Sequence, residues 1–147
     1  MNDKTLDPHA LADLVGKGMF AEDAASRGLG MNLEAMGPGY ARLTMTVRPD
    51  MLNGFKICHG GFIATLADSA FAFACNSTNE LTLAAGIMVD FIAPAKQGDV
   101  LTAEAKEVAL AGRTGVYDVT VTNQNRRIVA VLRGRSHRTK DKQVVPL

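Results

Sequence analysis

Hydrophobic and polar positions divide the chain into stretches with different periods. Between Cys58 and Asn76 the run is apolar on nearly every helical face. Leu66, Ser69, Ala70 and Phe73 fall at helical spacing, Ile63, Ala67 and Ala74 do so on another face, and Asp68 is the one carboxylate. A helix apolar all round is one that the rest of the protein encloses. The turn formers Asn76-Ser77-Thr78-Asn79 end it. Residues 7–27 carry Leu11, Leu14, Val15, Met19 and Phe20 on one stripe, with Asp7 placed to cap and Pro8 at the first helical position. They predict an amphipathic helix that Gly28 and Gly30 stop.

Period-two patterning begins after that. Ala41, Leu43, Met45 and Val47 alternate with Arg42, Thr44, Thr46 and Arg48, which predicts a half-buried strand. Met36-Gly37-Pro38-Gly39 turns the chain into it from a strand over 31–35. Residues 49–58 hold no period and include Asn53-Gly54, so they read as a loop leading to the central helix. Residues 83–92 are apolar on both parities except Asp90, and they predict a strand buried on both faces. Leu101, Ala103 and Ala105 share one parity and Val108 and Leu110 the other, a flip that a β-bulge would produce. Tyr117, Val119 and Val121 alternate again after the turn 111–115. A final apolar strand begins at 128–132 and runs on into Arg133-Gly134-Arg135-Ser136-His137. The polar tail from Thr139 is expected to fray. Helix, two strands, helix and four hairpin-linked strands give an α+β domain over 1–147: a curved, mainly antiparallel sheet wound around the central helix, with residues 1–28 as an N-terminal helix.

Bulk composition narrows the partners. With 47% hydrophobic and 21% charged residues and a net charge of +1, nothing favours nucleic acid or an acidic membrane. No apolar run reaches the roughly 18 residues of a membrane span. The start, Met1-Asn2-Asp3-Lys4-Thr5, has no apolar signal region, so the expected location is cytoplasmic. Cys58 and Cys75 have no metal-type spacing, and neither a metal nor a cofactor is expected.

Candidate chemistry gathers on the central helix. Asp68 is costly to bury unless paired or raised in pKa. It reads either as a general base or nucleophile in a dry cleft, or as a local cap beside Thr65 and Ser69. His59-Gly60-Gly61 opens the helix. Free amides there stabilise developing negative charge, and an oxyanion donor can be worth roughly 3 kcal/mol. Eight residues at about 1.5 Å rise place Gly60 and Asp68 roughly 12 Å apart on one helix. They cannot serve one carbonyl within a subunit, so a shared site requires a homodimer. Asn53 reads either as a side-chain amide donor to substrate or water, or as part of an Asn-Gly turn. His59 reads first as a cap. Arg133, Arg135 and Arg138, with Lys96, could hold a nucleotide phosphate or simply form a solvated strand end. Phe55, Phe62, Phe71 and Phe91 could line an apolar pocket or belong to the core.

Leu52-Asn53-Gly54, His59-Gly60-Gly61, Leu66-Ala67-Asp68 and Ala72-Phe73-Ala74-Cys75-Asn76 together closely resemble the hotdog-fold acyl-CoA thioesterases, in particular the phenylacetic acid degradation (PaaI-type) branch. The resemblance continues through Val89-Asp90-Phe91, Gly98-Asp99, 114–118 and 133–138, and covers nearly everything after residue 40. It implies a hotdog fold, a homodimer or homotetramer, and hydrolysis of aryl-acetyl-CoA thioesters such as phenylacetyl-CoA or hydroxyphenylacetyl-CoA. It also implies Asp68 as base or nucleophile, the Gly60 N–H as carbonyl donor from the other subunit, and Asn53 and His59 as placing groups. Gly61, Arg133 and Arg135 are the matching candidates for substrate contact. Some relatives carry a hydroxyl near Ala84-Ala85-Gly86, where this chain has none. A non-catalytic acyl-CoA-binding or sensor domain, or an oligomerisation module, is the alternative. A hydratase would carry an Asp-x4-His pair, which is absent.

Overall fold

A computed structural model describes residues 5–147; the first four residues of the expected 1–28 segment lie outside it. Helix α1 covers Pro8–Glu22, and the Asp7 carboxylate accepts from the amides of His9 (3.1 Å) and Ala10 (3.2 Å). The single helix expected over 7–27 is in fact two. Asp23 leaves helical geometry and caps a second short helix, α2 (Ala24–Gly28), accepting from Ser26 N at 2.9 Å and Ser26 Oγ at 2.6 Å. A second capping carboxylate inside an apolar-periodic run leaves the period intact, which is why pattern alone joins the two.

Strands β1 (Asn32–Gly37) and β2 (Tyr40–Thr46) form the expected hairpin, with Gly39 at φ 65° in its turn. A 3₁₀ turn at Pro49–Met51 precedes helix α3, Gly60–Cys75. Then come β3 (Glu80–Phe91), β4 (Val100–Ala111), β5 (Thr114–Thr122) and β6 (Ile128–Gln143). The sheet order is β1-β2-β4-β5-β6-β3, with every pair antiparallel. The register slips between Glu107 and Ala109, where the parity flip predicts a bulge. This sheet wraps α3, whose Ile63, Leu66, Ala67, Ala70, Phe71, Phe73 and Ala74 are buried. That is the hotdog arrangement. Phe71 packs on Tyr117 with ring centroids 5.5 Å apart. It also passes so close to β6 that a Cβ at Gly134 would lie 2.8 Å from its ring, so the strand needs glycine there.

Two expectations are corrected. Residues 83–92 are not buried on both faces: Leu83, Ile87, Met88, Phe91 and Ile92 are exposed, Met88 by 64%. β3 is the last strand of the sheet and pairs with β6 alone, so one edge and much of both faces are bare. Nor does the tail fray at Thr139. β6 continues to Gln143, Thr139 Oγ1 donates to Leu81 O (2.8 Å), and the Asn79 side-chain oxygen accepts from the amides of Val144 and Val145. Backbone pairing asks nothing of side-chain polarity, so a polar stretch can continue an antiparallel ladder.

At the far end of α3, Asn76 locks the helix to β3. Its side chain accepts from Thr82 N (2.8 Å) and donates to Ala72 O (2.8 Å) and Thr82 O (2.9 Å).

Candidate active site

The site is built where the loop after the 3₁₀ turn meets the start of α3. Leu52 and Cys58 bridge across the loop, and Asn53 N donates to Ile57 O at 2.8 Å. The Asn53 side-chain carbonyl accepts from Phe55 N (2.9 Å) and Ile57 N (3.4 Å), an Asx turn. The turn reading of Asn53 is what the structure shows. Its oxygen holds the turn, its NH2 donates to nothing among the described residues, and the residue is one of those lining the cleft described below. Lys56 takes φ 63° to close the loop. The segment is then clamped from two sides, with His59 N donating to Met51 O (2.7 Å) and Cys58 N to Ala95 O (2.8 Å).

His59 is the N-cap of α3. Its Nδ1 accepts from Gly61 N at 3.2 Å, so the ring proton belongs on Nε2. The cap engages the Gly61 amide, and Phe62 N returns to His59 O at 3.0 Å. The amide of Gly60 is left, and among the described residues it donates to nothing. Being the first amide of a helix, it carries the positive end of the helix dipole. The ring of Phe91, at the end of β3, packs against Gly60: a Cβ there would be 2.9 Å from Phe91 Cζ. Glycine is what lets ring and helix approach this closely. A cleft of about 440 Å³ opens here, walled by Asn53, Ile57, Gly60, Ile63, Phe91 and Pro94. It is a largely apolar slot whose lining includes Gly60, with its undonated N–H, and Asn53, suited to an apolar group ending in a carbonyl.

Asp68 lies two turns further along α3 and is not part of that wall. It shares with Gly61, Ala64, Thr65 and Ala72 the strip that the sheet leaves partly open. The neighbours that a local cap would need are engaged elsewhere. Thr65 Oγ1 donates to Gly61 O (2.8 Å), and Ser69 Oγ bonds Ser26 Oγ (2.8 Å) on α2. No hydrogen bond or ion pair reaches the Asp68 carboxylate among the described residues, and desolvation raises its pKa above the usual range. The helix thus carries a free amide and a free, half-buried carboxylate that cannot meet within one chain.

The other expected residues fall apart from this pair. Gly61 has its N–H engaged by His59. Arg133 and Arg135 stand on the face of the sheet opposite α3. Arg133 is held there by a two-bond pair with Asp118 (2.7 and 2.8 Å) that keeps the Asp118 carboxyl below its ordinary range. Arg138 pairs with Glu80. Of the four phenylalanines singled out, Phe71 is core, Phe62 packs at the core margin, Phe91 walls the cleft, and Phe55 stands 86% exposed at the loop tip. Burial pushes the Cys58 thiol up and that of Cys75 to about 12, so neither is an available thiolate nucleophile. Ile57 and Pro94 are wall residues that the pattern does not single out; neither carries a chemical signal in sequence.

Comparison with known proteins places the fold in a family. The family model described as thioesterase superfamily matches residues 55–130. Acyl-coenzyme A thioesterase PaaI of Escherichia coli K12 is 45% identical over 120 residues, covering 82% of this chain and 86% of that protein. The solved structure of the E. coli PaaI protein from the phenylacetic acid degradation operon superposes with a TM-score of 0.89 at 41% identity, over 90% of this chain and 96% of that one. A mutant of the phenylacetic acid degradation protein PaaI from Thermus thermophilus gives 0.77 at 35% identity, covering 80% of this chain and 100% of its own. A Streptococcus mutans protein solved bound to acetyl CoA gives 0.74 at 27% identity, covering 77% and 91%.

Proposed function

The chain belongs to the thioesterase superfamily, as a hotdog-fold enzyme of the PaaI type, and on that footing we propose that it hydrolyses aryl-acetyl-CoA thioesters, phenylacetyl-CoA or hydroxyphenylacetyl-CoA, to the free acid and CoA. The observation that carries this reading is the pairing on α3 of a free N-terminal amide at Gly60 with an unpartnered, desolvated carboxylate at Asp68. The Gly60 N–H donates to the thioester carbonyl in the cleft and stabilises the oxyanion as it develops. Asp68 of a second copy faces that carbonyl. It either takes a proton from water as the water oxygen bonds to the carbonyl carbon, or attacks the carbon itself to give an anhydride that water then opens. In both routes the C–S bond breaks and sulfur leaves as a thiolate, which needs no proton at the moment of departure. The Asn53 NH2 borders the same space, while His59 acts by holding the first turn of α3.

The bare side of β3 supports the second copy. A twelve-residue strand with one unpaired edge and exposed Ile87, Met88, Phe91 and Ile92 fits an antiparallel copy of itself around a two-fold axis. That pairing would bring the α3 strips and the two clefts to one interface, in a homodimer or a dimer of dimers, in the cytoplasm.

The test is CoA release from phenylacetyl-CoA, followed by chromatography, for wild type and Asp68→Asn, with the molecular mass of each measured in solution. The expected result is a fall of about 10²–10⁴ in turnover with the mass unchanged. Equal rates would remove Asp68 from the mechanism. A wild type that hydrolyses fatty acyl-CoAs but no aryl-acetyl-CoA would overturn the substrate class.

A further inference from the structure

The loop before α3 carries the dipeptide Asn53-Gly54, and nowhere else in the chain is Asn followed by Gly. An Asn-Gly bond is open to attack on its own side chain, because glycine has no Cβ to keep its nitrogen away from the preceding Cγ. Three features of this loop leave that attack unopposed. Gly54 is exposed and its N–H donates to nothing among the described residues, so the attacking nitrogen is not tied down. The Asn53 NH2, the group that must leave, is likewise free. The Asn53 Oδ1 accepts from Phe55 N (2.9 Å) and Ile57 N (3.4 Å). Those two donors are aimed at the oxygen on which negative charge collects when the carbonyl carbon is attacked.

Other asparagines of the chain show the contrast. Asn123 makes the same kind of turn, accepting from Asn125 N (2.9 Å) and Arg127 N (3.0 Å), but the residue after it is Gln124, which carries a side chain. Asn76 precedes the small Ser77, and both are buried. The Asn76 NH2 is donated to Ala72 O and Thr82 O, and Ser77 N to Ala74 O (3.3 Å), so neither nitrogen is free. Asn79 is buried too, with its NH2 donated to Val145 O (3.0 Å).

We infer that Asn53-Gly54 is a self-modification site, at which the folded chain converts Asn53 to aspartate and isoaspartate with water as the co-reactant. The Gly54 nitrogen gives its proton to solvent and bonds to Asn53 Cγ. The Cγ–Nδ2 bond breaks, and Nδ2 takes a proton and leaves as ammonia. Water then opens the cyclic imide that remains. Opening at the side-chain carbonyl gives aspartate, and opening at the main-chain carbonyl gives isoaspartate, whose backbone runs through the former side chain. Either product exchanges a neutral amide for a carboxylate at a residue lining the Gly60 cleft. A negative charge there opposes an oxyanion forming at the Gly60 N–H. Isoaspartate also lengthens the main chain within the turn that leads to the His59 cap. Turnover therefore decays with the age of the protein. That loss rests on the hydrolase reading; the modification does not.

The test holds freshly purified wild type and Gly54→Ala in warm, mildly alkaline buffer for days. The mass of the peptide carrying residue 53 and the turnover of phenylacetyl-CoA are followed together. A Cβ at Gly54 meets nothing within 4 Å, and the residue is not among those of positive φ, so alanine fits the loop as glycine does. In wild type, Asn53 is expected to gain the mass of an amide-to-acid exchange, with isoaspartate in excess of aspartate, while Asn76 and Asn123 stay intact. Turnover should fall in proportion to the converted fraction. Gly54→Ala should lose most of the mass change and hold its turnover. Three outcomes would overturn the site: a wild-type Asn53 that stays intact, conversion that is as fast in Gly54→Ala, or conversion no faster than at Asn123. If Asn53 converts while turnover holds, the site stands and the placing role of Asn53 in hydrolysis fails. If fresh wild type turns over no thioester, the hydrolase reading fails, and the masses alone still decide the site.

Discussion

The two ends of α3 handle their polar groups in opposite ways. At the C-terminal end Asn76 has its oxygen and its NH2 engaged by Ala72 and Thr82, and Asn79 repeats the device with Val144 and Val145. At the N-terminal end His59 caps Gly61, yet the Gly60 amide and the Asn53 NH2 are left free at the wall of an apolar cleft. Both ends hold Asn residues and sharp turns, so residue type does not separate them. What separates them is whether each donor has a partner. The closed end is satisfied within the chain, and on the proposed function the open end is where a ligand would supply the missing acceptor.

The sharpest way to break this contrast is to fill the open end. Gly60→Ala puts a methyl where the Phe91 ring lies and obstructs the approach to the amide. Turnover should fall by about 100-fold, the scale of losing one oxyanion donor, while the melting temperature changes little because the displaced group is the end of a movable side chain. Mixing Gly60→Ala with Asp68→Asn chains should restore part of the activity, since a mixed dimer assembles one site from two intact halves. No recovery after the chains have verifiably exchanged would mean that the site is not shared.

Opening the closed end is the converse. Asn76→Ala strands the buried amide and carbonyl of Thr82 and should cost about 2–3 kcal/mol of stability, read from denaturant unfolding. Molecules that stay folded should keep the wild-type kcat. A variant with full stability and impaired kcat would reverse the roles assigned to the two ends.

The smallest effect concerns the carboxylate between them. Desolvation raises the Asp68 pKa in the folded chain, so the folded state holds its proton to higher pH than the unfolded one. Stability from this group is present below its unfolded pKa and is lost as pH rises through the window up to the raised folded value. Asp68→Asn should therefore be slightly more stable than wild type at neutral pH, with the advantage vanishing in acid. Wild-type kcat should rise with pH with a midpoint above the usual carboxylate range. An advantage for the variant that grew in acid would contradict the desolvation of this carboxylate.

Much of this is legible from period and spacing. The all-round apolar α3 with its lone Asp68, the 40s strand, the bulge near Val108 and the Gly60–Asp68 separation all follow from side-chain order along the chain. The resemblance adds the name of the fold and the roles. Residues 83–92 mislead because an apolar strand reads the same whether or not its own chain covers it. Asp23 escapes notice because one cap inside a periodic run does not alter the period. The strand beyond Thr139 is hidden because its pairing is made by backbone atoms.

The bare strand has a consequence for the newly made chain. A lone molecule carries a largely apolar strand twelve residues long, with a row of amides and carbonyls ready to template any extended peptide, and in the proposed dimer a second copy would cover it. On that proposal its fate would be a race between self-recognition and indiscriminate stacking. Slow or dilute synthesis, which lengthens the solitary interval, should matter more to the yield of this protein than the strength of its own core.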